Sequence, residues 1–192
     1  FAGKALDTRL RSTSDLAEAL DGADVMVAAA PSHVTRRVWE QASQFVREGT
    51  PLVSATKGIE TDSLDLMDQV ASEVIPQAKF VALSGPSFAD EVHEGQPTAV
   101  VAASHDHDAA VLAQELFSTS RFRVYSQSDV VGVELAGSLK NVMAIAAGVL
   151  DGLGMGHNPR AALLTRGLAE ISRLGGAMGA DQATFAGLAG MG

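Results

Sequence analysis

The fold is decided by residues 24 to 56, DVMVAAAPSHVTRRVWEQASQFVREGTPLVSAT. A continuous apolar run over 24–30 stops at Pro31-Ser32, the pattern of a parallel strand buried on both faces. Val34, Val38, Trp39, Ala42, Phe45 and Val46 then recur at helical spacing, and Gly49 accepts the left-handed conformation that closes a helix. Pro51 to Thr56 is expected to be the next strand. Strand, helix and strand joined by short turns predict a parallel crossover unit.

The same alternation continues outward. Leu64, Met67, Val70, Ala71 and Val74 mark a further helix, and Phe80 to Leu83 a third strand. A fourth strand is expected at Thr98 to Ala103, a helix at about 107 to 117 and a fifth strand at Phe122 to Tyr125. These elements predict an α/β fold, a doubly wound, mostly parallel, Rossmann-like sheet. After Ser126 the pattern is helical only: an apolar segment over 130–150, then Arg160 to Leu174, then a short helix entered at Asp181. Residues 1–127 are therefore expected to belong to the sheet domain and 128–192 to an all-α domain. The chain opens on Phe1 and stops at Gly190-Met191-Gly192, so both domains are expected to be truncated.

Composition narrows the function classes. With 46% apolar and 19% charged residues, 19 glycines and a net charge of −9, the chain reads as a tightly packed globular protein. No basic stripe is available to displace counterions from nucleic-acid phosphates, so nucleic-acid binding is not expected. The absence of cysteine removes disulfide frameworks and thiolate metal sites. His93, His105 and His107 lack ligand spacing, so no metal site is expected. Asp151-Gly-Leu-Gly-Met-Gly-His-Asn158 lacks the alternating oxygen ligands and closing acid of a calcium loop. No leader sequence is apparent, and a cytoplasmic protein is expected.

One charge stands out. In VVGVELAGSLKNVMAIAAGVL (130–150), Glu134 and Lys140 are the ionisable side chains, so the segment is expected to be buried on nearly all sides. A membrane span of this length is not expected, because Glu134, Lys140 and Asn141 would be costly in hydrocarbon and no flanking basic run sets a topology. Removing an ammonium from water lowers its pKa and makes it a usable proton donor or acceptor. Ala136, Gly137, Met143, Ala144 and Ala147 share the face of Lys140 at helical spacing, and all but Met143 are small enough for close approach.

Ligands of open α/β sheets bind beyond the carboxyl ends of the strands. The first three strands end in Pro31-Ser32-His33, Thr56-Lys57-Gly58 and Ser84-Gly85-Pro86-Ser87-Phe88-Ala89, which are expected on one rim. Lys57 supplies positive charge there, Ser87 is placed to cap a helix carrying Ala89, Asp90 and Glu91, and His33 is a secondary acid–base candidate.

VAAAPSHV (27–34), SATKGIE (54–60), LSGPSFADEV (83–92), FRVYSQSDVVGVELAGSLKNVMAIAAG (122–148) and DGLGMGHNPRAALLTRGLAEISRLG (151–175) together resemble the bacterial type of NAD(P)-dependent glycerol-3-phosphate dehydrogenase. That resemblance implies hydride transfer between NAD or NADP and dihydroxyacetone phosphate or sn-glycerol 3-phosphate, in the service of phospholipid synthesis, and it allows a homodimer. By the same resemblance Lys140 is the catalytic proton donor and acceptor. Lys57, Gly85, Ser87, Lys140 and Asn141 are implied to bind substrate, and Lys57, Ala89, Pro31 and Ser32 to contact the cofactor.

The departures are as specific. The family's Gly-x-Gly-x-x-Gly turn does not occur before Asp24, and its Asp and Arg-Asn pair beyond the Gly-Met-Gly end are not in the sequence. The fragment alone is therefore expected to be inactive or nearly so. Two rivals compete: a β-hydroxyacid-type dehydrogenase, which the adjacency of Asn141 to Lys140 disfavours, and a noncatalytic dinucleotide-sheet binding protein, in which Lys140 would be dispensable.

Overall fold

A computed structural model describes residues 7–192. Its elements in chain order are α1 (Leu16–Leu20), β1 (Met26–Ala28), α2 (Ser32–Ser43), β2 (Pro51–Ser54), α3 (Met67–Val74), β3 (Lys79–Ser84), α4 (Ala89–His93), β4 (Thr98–Ala103), α5 (His107–Phe117), β5 (Phe122–Gln127), α6 (Val130–Gly152), α7 (His157–Ala177) and α8 (Gln182–Phe185). The strands form one mixed sheet in the order β1-β2-β3-β4-β5. Pairing is parallel for β1–β2, β2–β3 and β4–β5, and antiparallel for β3–β4. The mostly parallel expectation thus holds with one reversal. The short α4 between β3 and β4 is no crossover helix, so the chain turns back beside the strand it has just left.

Helices cover both faces, as a doubly wound sheet requires. On one face Trp39 of α2 and Met67, Val70 and Ala71 of α3 close over Leu52 of β2, with Trp39 meeting Phe80 edge-on at 6.2 Å between ring centroids. The other face packs Ala109 and Ala113 of α5 onto Val53, Val81, Val100 and Val124. Each fully buried large apolar side chain is worth about 1.5–3 kcal/mol. Strand β1 departs from its reading as doubly buried: among the described residues it lies at the sheet edge, and Val27 is 55% exposed. Leu64 is not in α3 either, because it takes a positive φ of 65° in the turn before that helix.

The helical segment after β5 begins inside the sheet's core. Val130, Val133, Leu135 and Ala136 of α6 pack with Ala82, Val101 and Ala103, and Phe185 of α8 closes the same cluster. Asp129 fastens this junction: one carboxylate oxygen accepts from Gly132 N at 2.9 Å, the other from Asp181 N at 3.0 Å and Thr184 Oγ1 at 2.5 Å. By length and composition α6 could cross a membrane, but its opening turns are occupied in this core. Beyond Gly137 the expectation of near-complete burial fails. The buried residues of α6 end at Gly137, and Val142 and Ile145 are 60% and 70% exposed.

Glu134 ties α6 to the opposite layer. It is 8% exposed, and its Oε2 accepts from Asp68 N, 3.2 Å away, in the first turn of α3, whose N-cap residue Leu66 makes no side-chain hydrogen bond. Burial pushes the carboxyl up to about 8, partly opposed by the backbone N–H bonds from Asp68 and Met67. Between its ordinary value of 4.5 and about 8, the unfolded chain releases this proton while the folded protein keeps it. The folded state therefore loses stability as pH rises through that window and levels off above it. Glu134→Gln is expected to raise Tm relative to wild type at about pH 9 and to lose that advantage near pH 5. A Tm difference independent of pH in thermal melts would refute the assignment.

Candidate active site

Parallel pairing of β1, β2 and β3 brings their carboxyl ends to one rim, as read from the sequence. The loops there are laced together. Ala55 N donates to Ala28 O at 2.8 Å, and Thr56 Oγ1 to Ala30 O at 2.9 Å. Pro31 precedes the first turn of α2 as its N-cap, Ser32 and His33 open the helix, and Gly58 lies against Ser32. A Cβ at Gly58 would stand 2.5 Å from Ser32 Oγ, and its φ of 157° also requires glycine.

Lys57 reaches from this loop to the next. Its Nζ donates to Gly85 O at 3.1 Å, and Ser87 Oγ lies 3.5 Å from the same oxygen. Gly85 has φ 152°, and a Cβ there would fall 2.9 Å from Val100 Cα on the antiparallel neighbour β4. Burial of its ammonium end lowers the pKa of Lys57. Ser87 does not cap α4: Phe88 is the N-cap residue, with no side-chain group to bond, and the Ser87 hydroxyl is turned to Gly85 O. Ala89 is the exposed first residue of that helix.

Helix α6 completes the arrangement. A Cβ at Gly137 would lie 2.5 Å from Ser84 Oγ and 4.0 Å from Lys57 Cγ, so glycine alone lets the helix rest on the end of β3 beside Lys57. Lys140 follows on the next turn, with Asn141 exposed beside it. The Lys140 ammonium donates to Gly192 O at 2.7 Å. Its pKa is lowered, first by burial and then by the positive charge of Lys57. The two lysines therefore share one electrostatic environment.

Lys140 borders a cavity of about 460 Å³ whose lining includes Ala136, Met143, Ala144, Ala147 and Met191. The face anticipated from helical spacing is the face that lines it. A larger cleft of about 680 Å³ between α1 and Arg47 contains neither lysine, and the chemistry favours the smaller one. Among the described residues no cluster of three His, Asp or Glu side chains could hold a metal. Sequence reasoning placed Ser84 on the rim but missed its close approach to Gly137 and its buried hydroxyl, which has no hydrogen-bond partner among the described residues. The one available signal was a small residue three positions before Lys140, since nothing local to Ser84 distinguishes it from a strand terminus.

Residues 1–110 match the family described as NAD-dependent glycerol-3-phosphate dehydrogenase N-terminus, and residues 129–192 match its C-terminus. The chain belongs to the NAD-dependent glycerol-3-phosphate dehydrogenase family. It is 58% identical to glycerol-3-phosphate dehydrogenase [NAD(P)+] of Geobacter metallireducens over 99% of this chain and 58% of that protein. The Bacillus pumilus protein of the same name is 46% identical over 98% of this chain and 55% of its own length. The crystal structure of glycerol-3-phosphate dehydrogenase from Coxiella burnetii superposes with a TM-score of 0.92 at 39% identity, covering 97% of this chain and 57% of that one. The chain thus spans little more than half the length of these relatives.

The Gly137–Ser84 approach generates a paired test. Gly137→Ala is expected to cost about 1–3 kcal/mol, by overpacking against Ser84. Adding Ser84→Ala removes the hydroxyl and leaves Ser84 Cβ as the nearest serine atom at 3.5 Å, an ordinary contact. Urea melts should find the double variant close to wild type; a double variant no more stable than the single one would show that another contact is responsible.

Proposed function

We propose that this chain is the rim and catalytic helix of an enzyme that interconverts dihydroxyacetone phosphate and sn-glycerol 3-phosphate with NAD(H) or NADP(H). The observation that carries the reading is the convergence of two lysines of lowered pKa, Lys57 and Lys140, at the carboxyl ends of parallel strands in a member of this family. Activity is assigned to a protein of the relatives' full length, of which this chain matches 58% in the Geobacter metallireducens protein. Residues 1–127 are assigned to its dinucleotide-binding domain and 128–192 to its helical substrate domain.

Dihydroxyacetone phosphate is dianionic near its phosphate and uncharged at its carbonyl. Lys57, already held on Gly85 O, offers a fixed positive charge to the anion, while Gly85, Ser87 and Asn141 supply polar contacts around the substrate. Two cations side by side repel, and an anionic substrate between them relieves that repulsion. Lys140 is assigned the proton. As C2 gains hydride, its oxygen takes a proton from the Lys140 ammonium, and in the oxidative direction the neutral amine removes it again. The lowered pKa favours both roles, because less free energy separates the two protonation states near neutral pH.

Pro31, Ser32, Lys57 and Ala89 are assigned to the nicotinamide end of the cofactor. Gly58 packs directly against Ser32, which fixes the two loops of this rim to each other. When bound, the nicotinamide supplies or accepts the hydride. The protein is expected to act in the cytoplasm, with α6 as a core helix rather than a span, and to provide a precursor for phospholipid synthesis.

Lys140→Ala is expected to reduce kcat for dihydroxyacetone phosphate by about 10²-fold or more, as loss of a general acid does. Lys57→Ala is expected to raise KM for the same substrate. Both are read by following nicotinamide absorbance with the purified full-length protein. Wild-type turnover in Lys140→Ala would remove the mechanism, and an unchanged KM in Lys57→Ala would make that residue an ordinary loop lysine.

A further inference from the structure

The segment that presents Lys57 runs over residues 55–66 with no regular secondary structure beyond a turn. Such a loop has no ladder of its own to fix a side chain, so its geometry must come from anchors. One anchor is near: Thr56 Oγ1 on Ala30 O. The other is a cluster of charges around Arg36 of α2. Arg36 Nε donates to both carboxylate oxygens of Glu60 at 2.9 and 3.0 Å, and Nη2 donates to Glu60 Oε2 at 2.7 Å. The same guanidinium bonds Glu73 of α3 at 2.6 Å and approaches Asp65 at 3.4 Å.

Glu60 in turn organises the loop. Its Oε2 accepts from Ser63 Oγ at 2.7 Å, its backbone N donates to Asp65 O at 2.9 Å, and its carbonyl accepts from Leu64 N at 3.0 Å. The Glu60 side chain is 15% exposed and that of Arg36 27%. The Arg36 guanidinium and the Ser63 hydroxyl hold the Glu60 carboxyl below its usual range. An isolated surface ion pair contributes little to stability. A forked guanidinium gripping one carboxylate and shared with two others fixes direction as well as charge, and Lys could not reproduce it.

We propose that Arg36, through its bidentate grip on Glu60, is a positioning residue that holds the 55–66 loop so that Lys57 stays on the rim facing Lys140. Nothing places Arg36 itself against substrate or cofactor; it acts through Lys57. The inference rests on the reading of Lys57 as a substrate contact, and the test separates the two.

The test is a double-mutant cycle on kcat/KM for dihydroxyacetone phosphate in the full-length protein, using Arg36→Ala and Lys57→Ala singly and together. Arg36→Ala is expected to raise KM by about tenfold with kcat at saturation changed far less, and to have little further effect once Lys57 is absent. Arg36→Lys should recover only part of the loss. A second readout needs no turnover: brief trypsin treatment of Arg36→Ala should increase cleavage after Lys57 several-fold relative to cleavage after Lys79, which is ion-paired to Asp106 elsewhere. Undiminished loss from Arg36→Ala in the Lys57→Ala background, or unchanged cleavage after Lys57, overturns the proposal. A null effect of Lys57→Ala alone, with cleavage still enhanced, overturns the substrate reading while leaving the anchor in place. Should Arg36→Ala fail to fold, Glu60→Gln enters the same cycle, since it keeps the shape of the carboxylate and removes its charge.

Discussion

Because Gly137 has no side chain, α6 can lie directly on the end of β3, with its backbone against Ser84 and its next turn carrying Lys140. That contact decides how far the helical segment sinks into the sheet. It sets the packing of Val133 and Ala136 on Ala82 and Val101, and it brings the helix beside Lys57. A larger residue at Gly137 would lift the helix away from the rim. The two lysines would then no longer feel each other's charge.

Among the described residues no Asp or Glu side chain is paired with Lys57 or Lys140, in a chain whose net charge is −9. Arg36, by contrast, is surrounded by Glu60, Asp65 and Glu73, and its charge serves the loop. Lys79 is likewise neutralised by Asp106. Lys57 donates to a backbone carbonyl, Gly85 O, which stabilises an ammonium without cancelling it. The distinction separates cations that build the scaffold from cations available to an anion.

Much of this was legible because it is periodic or local. The apolar run at 24–30, the helical repeat from Val34 to Val46 and the short strands to Tyr125 report the sheet directly, since alternation of strands and helices leaves few other ways to bury them. The face of Lys140 was legible for the same reason. What escaped depends on contacts between distant segments. The antiparallel β3–β4 pairing is invisible in periodicity, because a strand reads alike in either direction. The exposure of Val142 and Ile145 depends on which other segments cover that part of the helix, which an apolar composition does not reveal. Ser87 reads as a cap by residue type, and only the proximity of Gly85 O redirects its hydroxyl. The Arg36–Glu60 grip joins side chains 24 positions apart, each an ordinary surface charge in the sequence.

The reversal between β3 and β4 has a consequence for length. Since β4 and β5 run opposite to β1–β3, β5 finishes at the edge of the sheet away from the rim, and α6 must climb back along β3 to bring Lys140 into place. From Val130 to Lys140 a helix rises about 15 Å at 1.5 Å per residue, comparable to the span of β3, whose residues advance about 3.3 Å each. The opening turns of α6 act as a ruler laid against the strand. One residue more or fewer between Asp129 and Lys140 would turn the ammonium by about 100° as well as shift it, so this interval tolerates substitution far better than any change in count.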